Sequence, residues 1–470
     1  MIPFADLVLP AIRWDPDRGF APCLPDAERA LDLGVGGFII FGGERGALRA
    51  LIAQLQAAAP LPLLIASDLE RGAGQQVQGL TQLPPLLGLA TGGVAAVREA
   101  ARLTAREARD VGINWVFAPV MDLDSEPANP IVQTRAFGAT PEEVADLGAA
   151  WIMACQAGGV LACAKHFPGH GRTLTDSHAG LPVVASSRLA LDADLVPFRR
   201  AVAAGVASVM TAHVAYPALD QSEAPATYSG PIVQGLLRGE MGFDGLVVTD
   251  ALVMEGALQG LHETEGAVRA LQAGCDLLLY PNDVAAVARA LGAAAASGAL
   301  DADRLEEAAM RRREALEHVA EPMVLGRDDL EAGRALGEGI TREAVHLLRG
   351  SLAPLRRARV EIVDDDAGGP YRMPPRSAFG AALAERGVEL ANDGAPVVLV
   401  FCDVKSWKCR AGLSEENRTR LAHLAADAAA VVLFGHPRRI VDVPNGVPVL
   451  CAWSGDTGMQ RAAAARLVAG

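Results

Sequence analysis

The amino-acid sequence predicts an α/β protein in which an N-terminal (β/α)8 barrel of the TIM type is followed by a smaller C-terminal α/β sandwich. Three observations lead there. Up to about residue 300, short apolar runs of β type alternate with longer Ala-, Leu-, Arg- and Glu-rich stretches of helical period, and each kind occurs eight times. The short runs are apolar throughout, as expected of parallel strands covered on both faces. Finally, 470 residues are too many for one ordinary domain, but they accommodate a barrel of about 250 to 330 residues with a unit of about 100 behind it.

The expected barrel strands are residues 7–12, 37–41, 63–67, 114–119, 161–165, 208–212, 246–249 and 276–280. Helices are expected between and after them at 26–33, 48–58, 94–110, 141–156, 190–204, 231–241, 263–273 and 283–296. Chemistry in such a barrel sits at the carboxyl ends of its strands, so the polar residues that follow each run carry the information. They are Asp68, Arg135 in the loop after the fourth run, Lys165, His166, His213, Asp250 and Asn282. Residues 304–348 read as charged helices, a linker and packing segment. A second β/α pattern then begins, with strands expected at 360–363, 397–401, 430–434 and 447–453. The expected division is 1–300 for the catalytic barrel, 301–350 for the helical linker and 351–470 for the sandwich.

Composition narrows the function classes. Hydrophobic residues make up 51% of the chain, with 49 Gly, 29 Pro and 4% aromatics, which describes a filled globular core with many turns. A formal charge of −14 at pH 7 argues against nucleic acid and anionic membrane as partners, because both reward clustered Lys and Arg. Basic clusters are limited to short patches such as Arg311-Arg312-Arg313. The seven cysteines (23, 155, 163, 275, 402, 409 and 451) are odd in number and widely spaced, which suits reduced thiols in a cytosolic protein better than a disulfide frame. The start, MIPFADLVLPAIRWDPD, has no basic leader, and no run reaches the roughly 18 apolar residues of a membrane span, so a cytoplasmic location is expected.

Two stretches concentrate reactive side chains. In GFDGLVVTDALVMEGA, Asp250 ends an apolar strand, where a carboxylate is costly to bury without partners. It reads equally as a functional carboxylate and as the N-cap of a helix over 251–257. In AKHFPGHGRTLTDSHAGLP, 19 residues carry three of the nine histidines. His166, His170, Asp176 and His178 are zinc-ligand types, but Phe167-Pro168-Gly169 forbids the helix that a pair of histidines four apart requires, and HExxH is absent. The zinc reading is therefore weak, and His170 reads best as a satisfied structural histidine. In Asp176-Ser177-His178 an extended loop puts the first and third residues on one side, so the carboxylate can orient the imidazole. An imidazole is a natural proton donor and acceptor at neutral pH. Without a well-placed serine, a carboxylate such as Asp250 is left to attack, which suggests glycosyl transfer to an enzymic carboxylate.

SDLE near residue 68, NPIVQTRAFG, KHFPGHG, the DSH loop and GFDGLVVTDALVMEGA together resemble glycoside hydrolase family 3, and specifically its β-N-acetylglucosaminidase branch. The resemblance covers the first 300 residues and extends more loosely through FGHPRRIVDVPNGVPVLCAWSGD. It implies that Asp250 is the nucleophile and that His178 paired with Asp176 is the acid/base dyad. It also implies that Asp68, Arg135, Lys165 and His166 hold the hydroxyls of the transferred sugar; His213 and Met254 are counted with this substrate-binding set. The implied activity is that of a retaining, exo-acting β-N-acetylglucosaminidase on terminal β-linked N-acetylglucosamine of peptidoglycan- or chitin-derived fragments. Its partner would be a small carbohydrate, in the setting of peptidoglycan recycling, and the implied mechanism requires no metal or cofactor. Alternatives are a phosphorylase using phosphate as acceptor, a β-glucosidase or β-xylosidase of the same family, and a non-catalytic sugar-binding protein. The chain departs from shorter single-domain bacterial members in reading LERGAGQQV after Asp68 where those resemble QEGGRV, which leaves Arg71 unmatched, and in carrying a second domain.

Overall fold

The computed structural model describes residues 4–177, 180–368, 373–405 and 408–469. The first unit is a closed ring of parallel strands. β1 (Val8–Leu9) and β2 (Ala11–Arg13) are two halves of one extended run broken at Pro10. β2 pairs with β3 (Gly37–Phe41), and the ring continues through β4 (Leu64–Ser67), β5 (Trp115–Val116), β6 (Leu161–Phe167), β7 (Ser208–Thr211) and β8 (Leu246–Thr249). It closes because β1 pairs with β9 (Leu278–Leu279) while Val248 bridges to Leu277. Proline has no N–H to give to a ladder, so the chain changes neighbours where the break costs least.

Each barrel strand falls on one of the eight expected runs, and β4 to β9 are buried at every position. The helices between them end on ordinary local signals. Helix Gly93–Val111, for example, stops at Gly112 with φ 89°, a left-handed position that glycine adopts without a Cβ penalty. Ser187 and Asp283 accept the N–H of Ala190 and Ala286 and so cap the starts of two others.

Charged residues of the expected linker turn inward. Helix Ala302–Glu317 lies across the floor of the barrel, where the buried Arg312 donates to the carbonyls of Gly36 and Pro62. Arg304 and Arg311 join Arg238 around the buried carboxylate of Asp276, at 2.6, 3.1 and 2.7 Å. The short basic patch is thus largely consumed in holding the barrel closed from below. Helix Arg327–Ala344 follows, and then the expectation of helical structure up to residue 348 fails: β10 (His346–Arg349) is a strand. Its four residues are too few to carry a period, and antiparallel pairing with a strand about a hundred positions away decides their conformation.

That strand edges the second sheet. Its order is β10, β15 (Val449–Cys451), β14 (Ala430–Gly435), β13 (Ala395–Cys402), β11 (Arg357–Asp364) and β12 (Glu389–Leu390), parallel apart from β10. Alternate residues of β13 serve two cores. Val397, Leu399 and Phe401 pack with Phe379, Leu383 and Met459, whereas Val398 and Val400 pack with Leu421 and Ala425. Helices cover both faces, which makes this the expected α/β sandwich. Among the described residues no helix is long and apolar enough to cross a membrane.

Candidate active site

A cavity of about 560 Å³ opens at the carboxyl ends of the barrel strands. Ile39, Phe117, Met210 and Leu279 give it an apolar lining, and Asp68, Glu70, Arg135, Lys165, His166 and Asp250 a polar one. Lys165 and His166 are neighbours on β6, and neighbours on a regular strand point to opposite faces. Here the ladder to β7 slips between Ala164 and Phe167, and both side chains line the cavity.

Lys165 is 2% exposed, an extreme position for an ammonium group. Its Nζ lies 2.7 Å from Asp68 Oδ1 and 2.7 Å from Glu70 Oε1. Burial opposes its charge, but the two carboxylates outweigh burial and raise its pKa. Arg135, in the loop after β5, donates to both oxygens of Glu70, at 3.0 and 2.7 Å. Burial alone would raise the pKa of Glu70; Arg135 and Lys165 instead hold it far below the usual carboxylate range. Asp68 and Glu70 balance Lys165 and Arg135, so four charges stand in a small volume with no net local charge.

His166 is fixed by Asp122, whose Oδ2 is 2.7 Å from Nδ1 and whose Oδ1 accepts the backbone N–H of His166 and of His170. Burial opposes ionisation of Asp122, yet His166 and those N–H donors lower its pKa. The His170 ring meets Thr173 Oγ1 through Nδ1 and Ser177 Oγ through Nε2, at 2.8 and 3.2 Å. Burial lowers its pKa to about 4, so the ring is neutral at pH 7 and braces the loop, in keeping with the structural reading.

Asp250 follows β8 and lines the cavity. The N-cap reading does not survive, because Asp250 Oδ1 accepts from Ala251 N at 2.7 Å while the nearest helix is Glu255–Leu258, preceded by Met254. Met254 is buried and forms part of the cavity wall. Asp176 is 1% exposed, Ser177 reaches the cavity, and the Ser177 carbonyl accepts the N–H of Gly256 at 2.9 Å. The loop of Asp176 is thereby docked on the segment that follows Asp250. His178 lies outside the described residues.

Two expected positions are elsewhere. His213 is fully buried behind the wall, with Nδ1 2.8 Å from Thr227 Oγ1 and Nε2 3.1 Å from the Ala251 carbonyl. It holds the backbone next to Asp250 instead of facing the cavity, so its placement among the substrate-binding residues is corrected to a supporting one. Asn282 is engaged through its backbone N–H with Glu263, outside the cavity.

Sequence reasoning missed Glu70 and Asp122. Asp122 was findable, since it is polar and lies in the loop just past the expected run 114–119; Glu70 stood in the motif SDLE two places beyond Asp68. The contribution of the second domain was not findable. Asp403, Val404 and Lys405, at the carboxyl end of β13, complete the cavity wall, with Asp403 Oδ1 accepting from Thr134 Oγ1 at 3.0 Å. Two clasps hold that domain in place. Asp124 accepts from His436 Nε2 at 2.8 Å and from both Nη atoms of Arg438. Arg71 donates through Nη2 to Ser454 Oγ at 2.6 Å and to Asp456. FGHPRR and the terminal SGD, which are far from the barrel in sequence, are therefore domain-joining motifs, and Arg71 serves the second of them.

Fold and cavity define a two-domain α/β-barrel protein with a charged cleft where barrel enzymes carry out their chemistry. The family model described as glycosyl hydrolase family 3 N terminal domain matches residues 25–314, more than half of the chain. A β-N-acetylglucosaminidase/β-glucosidase of Cellulomonas fimi is 38% identical over 290 residues, 59% of this chain and 51% of that protein, so the chain spans about half the length of this relative. A β-hexosaminidase of Thiobacillus denitrificans is 41% identical over 276 residues, covering 55% of this chain and 75% of that one. The solved structure of a glycoside hydrolase family 3 β-N-acetylglucosaminidase from Paenibacillus sp. str. FPU-7 matches with a TM-score of 0.85 at 30% identity, over 99% of this chain and 96% of that chain. The chain belongs to glycoside hydrolase family 3.

Proposed function

We propose that the protein is a retaining, exo-acting β-N-acetylglucosaminidase that releases terminal β-linked N-acetylglucosamine from fragments such as those of peptidoglycan or chitin. In this reading residues 1–300 form the catalytic barrel, 301–350 brace it, and 351–470 close the site from outside. The observation that carries it is the hydrogen bond from Gly256 N to the Ser177 carbonyl, which docks the Asp176 loop beside Asp250.

Asp250 is the nucleophile: its carboxylate attacks the anomeric carbon and forms a glycosyl ester as the glycosidic bond breaks. His178, oriented by Asp176, gives its proton to the departing oxygen, and then takes one from the water that opens the ester. Asp68, Lys165, Arg135 and His166 hold the sugar hydroxyls. Charged hydrogen bonds tighten as the ring flattens toward an oxocarbenium ion, so they favour the transition state over the ground state. Glu70 and Asp122 keep the cations and the imidazole aimed, His213 steadies the backbone of Asp250, and Met254 is an apolar wall.

The test compares initial rates on an aryl β-N-acetylglucosaminide and the matching β-glucoside, for the parent protein and Asp250→Asn. The expected result is preference for the acetamido sugar and a loss of at least about a thousandfold in kcat for the variant. Equal turnover by Asp250→Asn would remove the nucleophile assignment, and preference for the glucoside would remove the dyad.

A further inference from the structure

The chamber that holds Asp250 does not end at the barrel mouth. A second cleft of about 570 Å³ adjoins it, running between the barrel and the second sheet. Arg13, Phe41, Arg71, Gln75, Asp403 and Lys405 border both spaces. Arg13 comes from the end of β2 and Lys405 from beyond the end of β13. In the second sheet the chain runs from β11 to β12 on one side and then returns to β13 on the other, so the β11–β13 crevice is a topological switch point, where open parallel sheets place ligands.

Charge at this border is unevenly matched. Arg71 is neutralised by Asp456. Asp403 already accepts from Thr134 Oγ1 at 3.0 Å and from Val404 N at 2.8 Å, and Lys405 Nζ stands off from it at 3.6 Å. Arg13 has no carboxylate partner among the described residues. Its guanidinium lies 4.0 Å over the Phe41 ring and its Nε donates to Tyr280 Oη at 2.9 Å. Stacking and that one bond fix the plane of the guanidinium and leave both Nη groups without a partner among the described residues, the fork that suits two oxygens of a carboxylate or a phosphate.

We infer that Arg13, assisted by Lys405, is an oxyanion-binding site at the outer edge of the chamber, on the side of the bond where the leaving group departs and the acceptor enters. Its position relative to the cleaved bond rests on the glycosidase reading above; its affinity for an oxyanion does not. The oxyanion has two sources, a carboxylate carried by the leaving group or free phosphate acting as acceptor. With phosphate, an oxygen of HPO4²⁻ attacks the anomeric carbon of the glycosyl ester, the bond from that carbon to the Asp250 oxygen breaks, and glycosyl 1-phosphate departs with its proton while Asp250 regains its negative charge. No further reactant is required.

The experiment has two arms, each on the full chain and on Arg13→Gln, Arg13→Lys and Lys405→Met at constant ionic strength. The first measures kcat/KM for two aryl β-N-acetylglucosaminides that differ only in a carboxylate or a carboxamide on the ring. The second titrates inorganic phosphate calorimetrically and analyses products formed in its presence. A carboxylate source predicts that the parent favours the charged substrate by about tenfold, that Arg13→Gln and Lys405→Met shrink this ratio, and that Arg13→Lys keeps part of it. A phosphate source predicts binding weakened about tenfold in Arg13→Gln and a sugar 1-phosphate product. Phosphate affinity that depends on Arg13 in a protein turning over no acetamido sugar would keep the anion site and discard the glycosidase reading. A ratio and a phosphate affinity indifferent to both residues would overturn the site.

Discussion

Glu70 and Arg135 face each other through two hydrogen bonds, Nε to Oε2 at 3.0 Å and Nη2 to Oε1 at 2.7 Å, and Lys165 rests on the same carboxylate at 2.7 Å. One buried anion therefore positions two of the cations assigned to the sugar. Removing one member of such a group leaves charges buried without compensation, which costs far more than the intact group contributes. Glu70→Gln is expected to lose about 3 kcal/mol or more in chemical denaturation and to raise KM, with Glu70→Asp recovering part of both. Unchanged stability would mean that the cations find other partners.

His170 supplies a pH dependence with a definite sign. Burial lowers its folded pKa to about 4 from the ordinary 6.5, so the unfolded chain takes up a proton over a range in which the folded chain does not. Its contribution is present above pH 6.5 and is lost as pH falls toward 4, by about 3 kcal/mol in all. Stability curves of the parent and His170→Gln should differ in slope within that window and run parallel above it. Parallel curves throughout would show that His170 does not titrate differently on unfolding.

Gly171 locks the loop that carries Asp176 against the barrel. A Cβ there would lie 1.9 Å from the carbonyl oxygen of Leu123, a backbone atom that has no rotamer in which to withdraw. Gly171→Ala should displace the loop that carries Asp176, lowering kcat more than it raises KM, with a stability loss of about 1 to 3 kcal/mol. A fully active Gly171→Ala would show that the loop has another docked position.

Asp124 joins the domains through His436 and Arg438, all three at least partly buried. Asp124→Ala leaves a histidine and an arginine without their acceptor, and the loop of Asp403 to Lys405 loses part of its support. Faster proteolysis between residues 345 and 356 and a raised KM are expected, together with retained barrel secondary structure by circular dichroism. Proteolysis at the parental rate would assign the joining role to Arg71 and Asp456.

Much of this protein is determined by local sequence. Eight apolar runs separated by helical periods specify a parallel barrel, because a strand buried on both faces can be satisfied in few other ways. The carboxyl-end rule then points to Asp68, Lys165, His166 and Asp250, all of which line the cavity. The same rule fails at His213, since two residues past a strand end the chain can turn behind the wall as readily as along it. Tertiary structure alone decides the rest. Glu70 pairs with Arg135 across 65 positions, Asp124 with His436 across 312 and Arg71 with Asp456 across 385. No periodicity or spacing encodes such a pair, because each partner is locally an ordinary polar residue. Only the closed barrel and the sheet docked on it bring the charges close enough, and bury them deeply enough, to choose one another.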